Sequence, residues 1–182
     1  TNNEVITRMA SNASGVCGKS IMRAILNHGD KTRVQQAMVD LMAANLHFCD
    51  IGGRTCDEIA SMTNAVRRTS KIGLIVVDYL QLVSGRGNTS NRTGEIDQVV
   101  MTLKEMAKRH NCPVIALSQL SRQVEARPDK RPMMSDLRES GAIEQDADII
   151  MFLHRPSDSG EQESYADAGK VEVHLSKHRN GP

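Results

Sequence analysis

Tryptophan is absent from this 182-residue chain, and Phe48, Tyr79, Phe152 and Tyr165 are its only aromatic residues. So few rings argue against binding nucleic acid by stacking bases on aromatic platforms and favour grips on a phosphate backbone. An excess of one charge is lacking too. With 23 Lys and Arg against 22 Asp and Glu the net charge is +1, so any contact with nucleic acid must come from a local patch. Cys17, Cys49, Cys56 and Cys112 form no C-x-x-C pair and have no His at finger spacing. Neither a zinc site nor a disulfide framework is suggested, and the four read as small buried hydrophobes in a reducing compartment. No apolar run approaches membrane-spanning length, and the N-terminus lacks a charged region followed by an apolar one, which predicts a soluble, cytoplasmic protein. The 39% hydrophobic and 25% charged residues are ordinary for a globular chain long enough to bury a core in one domain.

What is present begins with Leu74-Ile75-Val76-Val77-Asp78, a β-branched apolar run ending in a carboxylate. Such a run fits a parallel strand buried on both faces, and an acid at its C-terminal end emerges where open α/β sheets bind ligands. It reads as a Walker B strand, whose acid holds the magnesium ion bridging nucleotide phosphates; a plain strand followed by a turn Asp is the equally weighted alternative. Pro113 to Ser118 and Asp148 to Leu153 predict two more buried strands. A well-patterned helix is expected from Thr93 to His110, with Ile96, Val99, Val100, Leu103, Met106 and Ala107 as its apolar stripe. Upstream, Val34, Met38, Leu41 and Met42 predict a helix capped by Asp30, and Thr55-x-x-Glu58 is a capping box opening a helix to about Ser70. Leu46 to Ile51 is expected as a short strand between them. The order β-α-β-α-β argues a parallel, helix-covered sheet. Lys170 to Ser176 predicts an alternating edge strand with Val171, Val173 and Leu175 inward and Lys170, Glu172 and His174 outward. Ser84 to Arg92 and Pro156 to Gly169 read as polar excursions, and Gln119 to Ser135 exceeds ordinary connector length.

Gln119 follows the strand expected from Pro113 to Ser118, beside the expected end of the Asp78 strand. A neutral amide there can sense a γ-phosphate, whereas a lone Gln is more commonly a turn amide. Arg122, Arg127, Lys130, Arg131 and Arg138 gather in and after the long loop. They read as a solvated face or, at the ligand end of a sheet, as a grip on single-stranded phosphates, with Ser140-Gly141 allowing close backbone approach. By strand parity Lys177 and Arg179 extend the inward face of Val171, Val173 and Leu175, so they require an anion, either a carboxylate of this chain or a phosphate on a neighbouring subunit. Asn180-Gly181 after them is a turn signal. Ala13 to Ser20 approximates a phosphate-binding loop with Ala for the first Gly, but the segment before it has helical, not strand, spacing.

From Leu74 onward the chain resembles the DnaB family of replicative hexameric DNA helicases, in its RecA-like motor domain. The resemblance is carried by Ile75 to Leu82, Asn91-Arg92-Thr93 with Glu95-Ile96, Ala116 to Arg122, Asp129 to Pro132, Ser135 to Gly141 continuing through Ile143 to Asp148, and Lys177-x-Arg179-Asn180-Gly181-Pro182. It implies an α/β fold with a RecA-like P-loop NTPase core, a mostly parallel sheet covered by helices, and one motor domain over 1–182 that is incomplete at both ends. The family's P-loop and catalytic Glu precede the helix beginning here at Thr1, so the chain alone is expected to be inactive as an ATPase. The resemblance further implies ATP and Mg2+ as cofactors. Asp78 would be the Walker B acid and metal ligand, Gln119 the γ-phosphate sensor, and Lys177 with Arg179 the pair inserted into a neighbour's ATP site. Arg8 would lie near the phosphates, and Arg138, Glu139 and Gly141 in the loop gripping single-stranded DNA, beside Arg122. Implied partners are a homo-hexamer, single-stranded DNA, and a primase and helicase loader, with no membrane. Two other readings stay open: a filament-forming RecA-like recombination ATPase and a non-hydrolysing nucleotide- or DNA-binding adaptor.

Overall fold

The computed structural model describes residues 2–85, 92–137, 141–155 and 170–181. Contacts cluster into two compact units, Thr1–Ile51 and Gly52–Pro182.

The first unit is helical. Helices α1 (Asn2–Ser14), α2 (Gly18–Met22) and α3 (His28–Ala43) surround the buried Ala10, Val16 and Ala37. The α3 cap is Asn27, not Asp30: the Asn27 side chain accepts from the Asp30 backbone N–H at 2.8 Å, which puts Asp30 inside the first turn. Leu46 to Ile51 forms no strand, because no other described segment pairs with its backbone; Leu46, Phe48 and Ile51 stay exposed. The loop-like Ala13 to Ser20 is a helix end. Gly15 ends α1 at φ +68°, where a side chain would be strained, and the Ser14 hydroxyl accepts from the Val16 N–H at 3.2 Å. A helix, not a strand, precedes it, so the phosphate-loop requirement fails.

The second unit carries the strands. Thr55 caps α4 (Cys56–Arg67) with both halves of the capping box formed, as its sequence predicts. β1 (Ile75–Val77) pairs in parallel with β2 (Val114–Ala116), and α5 (Arg92–His110) makes the crossover between them. α6 (Gly141–Asp146) precedes β3 (Ile149–His154), which pairs antiparallel with β4 (Glu172–His178). The α5 stripe of Ile96, Val99, Leu103 and Met106 forms the centre of one core with Cys56, Val77, Leu80, Val83, Ile143, Ile150 and Phe152. At about 25 cal/mol per Å² of apolar surface, such a shared core is what joins both strand pairs to one helix.

Two expectations about the strands are corrected. The apolar runs are buried on one face only: Val76, Ile115, Ile149, Met151 and Leu153 are exposed while Val77, Ile150 and Phe152 are covered. Among the described residues the helices packing in this core cover that single face. In β4 the faces are reversed. Val173 and Leu175 are 60% and 59% exposed, whereas Glu172, His174 and Lys177 are half-buried. Val173 and Leu175 oppose the exposed Leu153 and Met151, and a β-bulge separates them from Lys177. Met151 opposes Leu175 but the preceding Ile150 opposes Lys177, so Ser176 is the extra residue and Lys177 lies on the face of His174, opposite that of Leu175.

Candidate functional site

Parallel pairing of β1 with β2 places Asp78 and Gln119 beyond the C-terminal ends of adjacent strands. The ladder runs past its last paired residues: the Leu117 N–H donates to Val77 O and the Leu80 N–H to Leu117 O, each at 2.9 Å. Asp78 is exposed and Gln119 is reached through its backbone; Asp78 is linked to Tyr79 by a cis peptide. Gln81, in the 3-10 turn Leu80–Leu82, joins the two segments. Its Nε2 donates to Ser118 Oγ at 3.1 Å and its Oε1 accepts from the Gln119 N–H at 3.2 Å. In the sequence Gln81 stands out only as part of the motif Ile75 to Leu82. Its place three residues after the acid was the available signal, but a bridge between strands is a tertiary fact. The Asp78 carboxylate is the hard oxygen donor that magnesium takes, and among the described residues no cation forms an ion pair with it, which fits that metal.

Lys177 and Arg179 converge elsewhere, on the C-terminal end of α6. Lys177 Nζ donates to Glu144 O at 2.6 Å and to Gln145 O at 3.0 Å; Arg179 donates through one terminal nitrogen to Gln145 O at 2.9 Å. Lys104 of α5 adds a third cation, bonding Asp146 O and, at 3.0 Å, Asp148 Oδ1. The last carbonyls of α6 and the negative end of its dipole are thus met by three positive side chains. Asp148 Oδ1 also pairs with Arg179 at 3.1 Å, and the Arg179 N–H bonds Asp148 O at 2.8 Å. The hydrogen bond from Lys104 holds the Asp148 carboxyl below the usual range, helped by the charges of Lys104, Arg179 and Lys177. The expected anion for Lys177 and Arg179 is therefore partly supplied within the chain, by Asp148 and by backbone carbonyls. Neither residue bonds to Asp78 or Gln119 among the described residues.

The long loop after Gln119 is ordered by its own contacts. Leu120 bridges Leu137, the Ser121 N–H bonds Asp136 O at 2.8 Å, and two 3-10 turns, Arg122–Ala126 and Met134–Asp136, fill the span. Arg127 is not part of a free basic face: it pairs with the buried Asp136 and donates to Arg131 O at 3.0 Å. Arg122 and Lys130 remain exposed, and Arg131 is exposed with Glu172 at 3.6 Å. Gly141 opens α6 with open space where a side chain would be. Arg138, Glu139 and Ser140, like the excursion 156–169 and residues 86–91, lie outside the described residues. Arg8 is exposed on α1, in the first unit.

Residues 1–182 match the family described as DnaB-like helicase C terminal domain. The chain is 36% identical to the replicative DNA helicase DnaB of Rickettsia bellii over 198 aligned positions, covering 98% of this chain and 40% of that protein. It is similar, at 40% identity and a TM-score of 0.85, to a DnaB-like replicative helicase solved in a study of its interactions with primase, over 97% of this chain and 43% of that one. A second solved relative, an ATPase domain, superposes with a TM-score of 0.89 at 40% identity, over all of this chain and 65% of that one. The chain spans about two fifths of the length of the curated relatives it matches.

Proposed function

Because the chain belongs to the DnaB-like helicase C-terminal domain family, whose solved relatives share its α/β fold, we propose that it is part of an ATP-driven motor that translocates on single-stranded DNA and unwinds duplex at the replication fork. Both units belong, in this reading, to one RecA-like motor domain working in the cytoplasm as part of a homo-hexamer. The observation that carries the proposal is the placement of Asp78 and Gln119 beyond the ends of adjacent parallel strands, with Gln81, three residues after Asp78, bonded to Ser118 and Gln119. An acid and a neutral amide side by side suit a site that must hold a metal and register the group bound to it.

Asp78 would hold Mg2+, which would supply charge neutralisation for the phosphates of ATP. The Gln119 amide orients the attacking water or reads the γ-phosphate, and Gln81 passes its displacement to the loop that starts at Ser121. Arg8 takes a phosphate contact. Lys177 and Arg179 act on a neighbouring subunit's ATP, since arginine donors supplied across a boundary stabilise transition-state charge. Arg122, Arg138, Glu139 and Gly141 grip the DNA backbone. A primase and a loader are further partners; the first is supported by the DnaB-like helicase whose interactions with primase were studied. The family match favours this over the recombination-filament and adaptor readings.

The test is Asp78→Asn in the full-length protein. Removing one charge without changing shape should retain ATP binding and the fold while turnover falls by about a hundredfold or more. Wild-type ATPase and unwinding rates in that variant would defeat the proposal.

A further inference from the structure

We infer that Asp148 and Lys104 are positioning residues for Arg179, fixing its guanidinium so that the remaining N–H donors face outward. The inference rests on the reading of Arg179 as acting across a subunit boundary.

The geometry is a chain of held charges. Asp148 sits one step before β3, opposite Arg179 in the continuation of the ladder that pairs Ile149 with His178, and the Arg179 N–H to Asp148 O bond of 2.8 Å fixes that register. One carboxylate oxygen then lies between two cations, 3.0 Å from Lys104 Nζ and 3.1 Å from an Arg179 terminal nitrogen. The other terminal nitrogen of Arg179 is anchored on Gln145 O at 2.9 Å. An arginine carries five N–H donors. One N–H is committed to Gln145 O, and the Asp148 contact is an ion pair, so Nε–H and three terminal N–H groups remain for an incoming phosphate; the Arg179 side chain is 44% exposed. Lys104 does two things: it keeps Asp148 in place and, through Asp146 O, ties it to the end of α6. Without the Asp148 charge, Lys104 and Arg179 would face each other as like charges at short range, and the guanidinium would be displaced. A long, flexible side chain that must meet a transition state in another subunit loses less entropy when it is already held.

Nothing in the packing requires this carboxylate. The Asp148 side chain is 62% exposed, so Asp148→Asn should fold, with only the small loss of stability expected from exposed ion pairs. In the full-length protein, single-turnover ATP hydrolysis by Asp148→Asn should fall about 10- to 100-fold, the scale of a misplacement near 1 Å, with ATP affinity unchanged. Lys104→Met should give a loss in the same direction, and Asp148→Glu should recover part of the rate. The decisive comparison is the double variant: Asp148→Asn added to Arg179→Ala should cost nothing further, because the group it positions is already gone. A further tenfold loss from the residual single-turnover rate of Arg179→Ala, or an Asp148→Asn rate within twofold of wild type while Arg179→Ala is strongly impaired, would overturn the inference and leave the proposed function standing. Wild-type hydrolysis by Arg179→Ala would instead remove the trans-acting reading itself.

Discussion

The pairing of Arg127 with Asp136 makes a quantitative prediction about the loop between Gln119 and α6. The Asp136 side chain is 5% exposed and that of Arg127 26%, and the same Asp136 carboxylate oxygen accepts the Met133 N–H at 2.8 Å. Replacing Arg127 with Met keeps the apolar stem but leaves a buried carboxylate without its cation. Breaking a fully buried pair costs about 3–5 kcal/mol. Because a quarter of Arg127 reaches solvent, about 2–3 kcal/mol is the reasonable range here. The cost falls on the loop, since neither residue belongs to the main hydrophobic core. At 1.4 kcal/mol per factor of ten, the open loop population should rise roughly 30- to 150-fold. Trypsin reads this directly, because Lys130 is an exposed cleavage site within the loop, whereas the Arg131–Pro132 bond resists it. At low protease, cleavage after Lys130 in full-length Arg127→Met should accelerate by that factor while the global melting temperature moves little. Asp136→Asn should accelerate it as well, and the double variant should fall short of the sum. Unchanged cleavage in Arg127→Met would refute the claim that this pair holds the loop, and Arg127 would return to the exposed basic face.

Thr55→Ala removes the side-chain acceptor of the Glu58 N–H, 3.2 Å away, and should destabilise α4 by about 1 kcal/mol in urea denaturation; no change would mean the capping box is idle. Burial holds the His110 imidazole below its usual value of 6.5, with Arg67 and Arg109 adding to the effect. The unfolded chain therefore binds a proton that the folded one refuses, so stability is present above pH 6.5 and declines as pH falls below it, levelling off once the folded His110 also titrates. His110→Leu should flatten that slope in thermal melts across the same range, and an unaltered slope would exclude His110 as its source. Arg122→Ala and Arg138→Ala should each weaken single-stranded DNA binding about equally for all sequences and reduce its salt dependence by about one phosphate's worth; sequence-selective losses would contradict a backbone grip.

Where local chemistry and global packing agree, the sequence sufficed by itself. The α5 stripe, the Thr55 box, the parallel neighbours β1 and β2 and the acid and amide at their ends were all legible, because helical period, cap spacing and β-branched runs express backbone preferences of the residues themselves. The family resemblance from Ile75 to Pro182 was legible for the same reason, as fixed motifs in fixed order. Leu46 to Ile51 shows the limit: apolar residues suit a strand, but a strand exists only where another backbone supplies hydrogen bonds. The face of β4 shows it more sharply. Alternation assigns Val173, Leu175, Lys177 and Arg179 to one side, and that arithmetic holds only while each residue opposes one partner. Val173 and Leu175 face outward with their partners Leu153 and Met151, and a single extra residue at Ser176 shifts the parity and turns Lys177 to the carbonyls of α6. Bulge position is set by how two strands fit over a shared core, a relation between segments well separated in the chain that no local pattern encodes. The same fit brought Lys104, Asp148 and Arg179 together from three separate elements, and so only the tertiary structure could decide which charges hold the arginine.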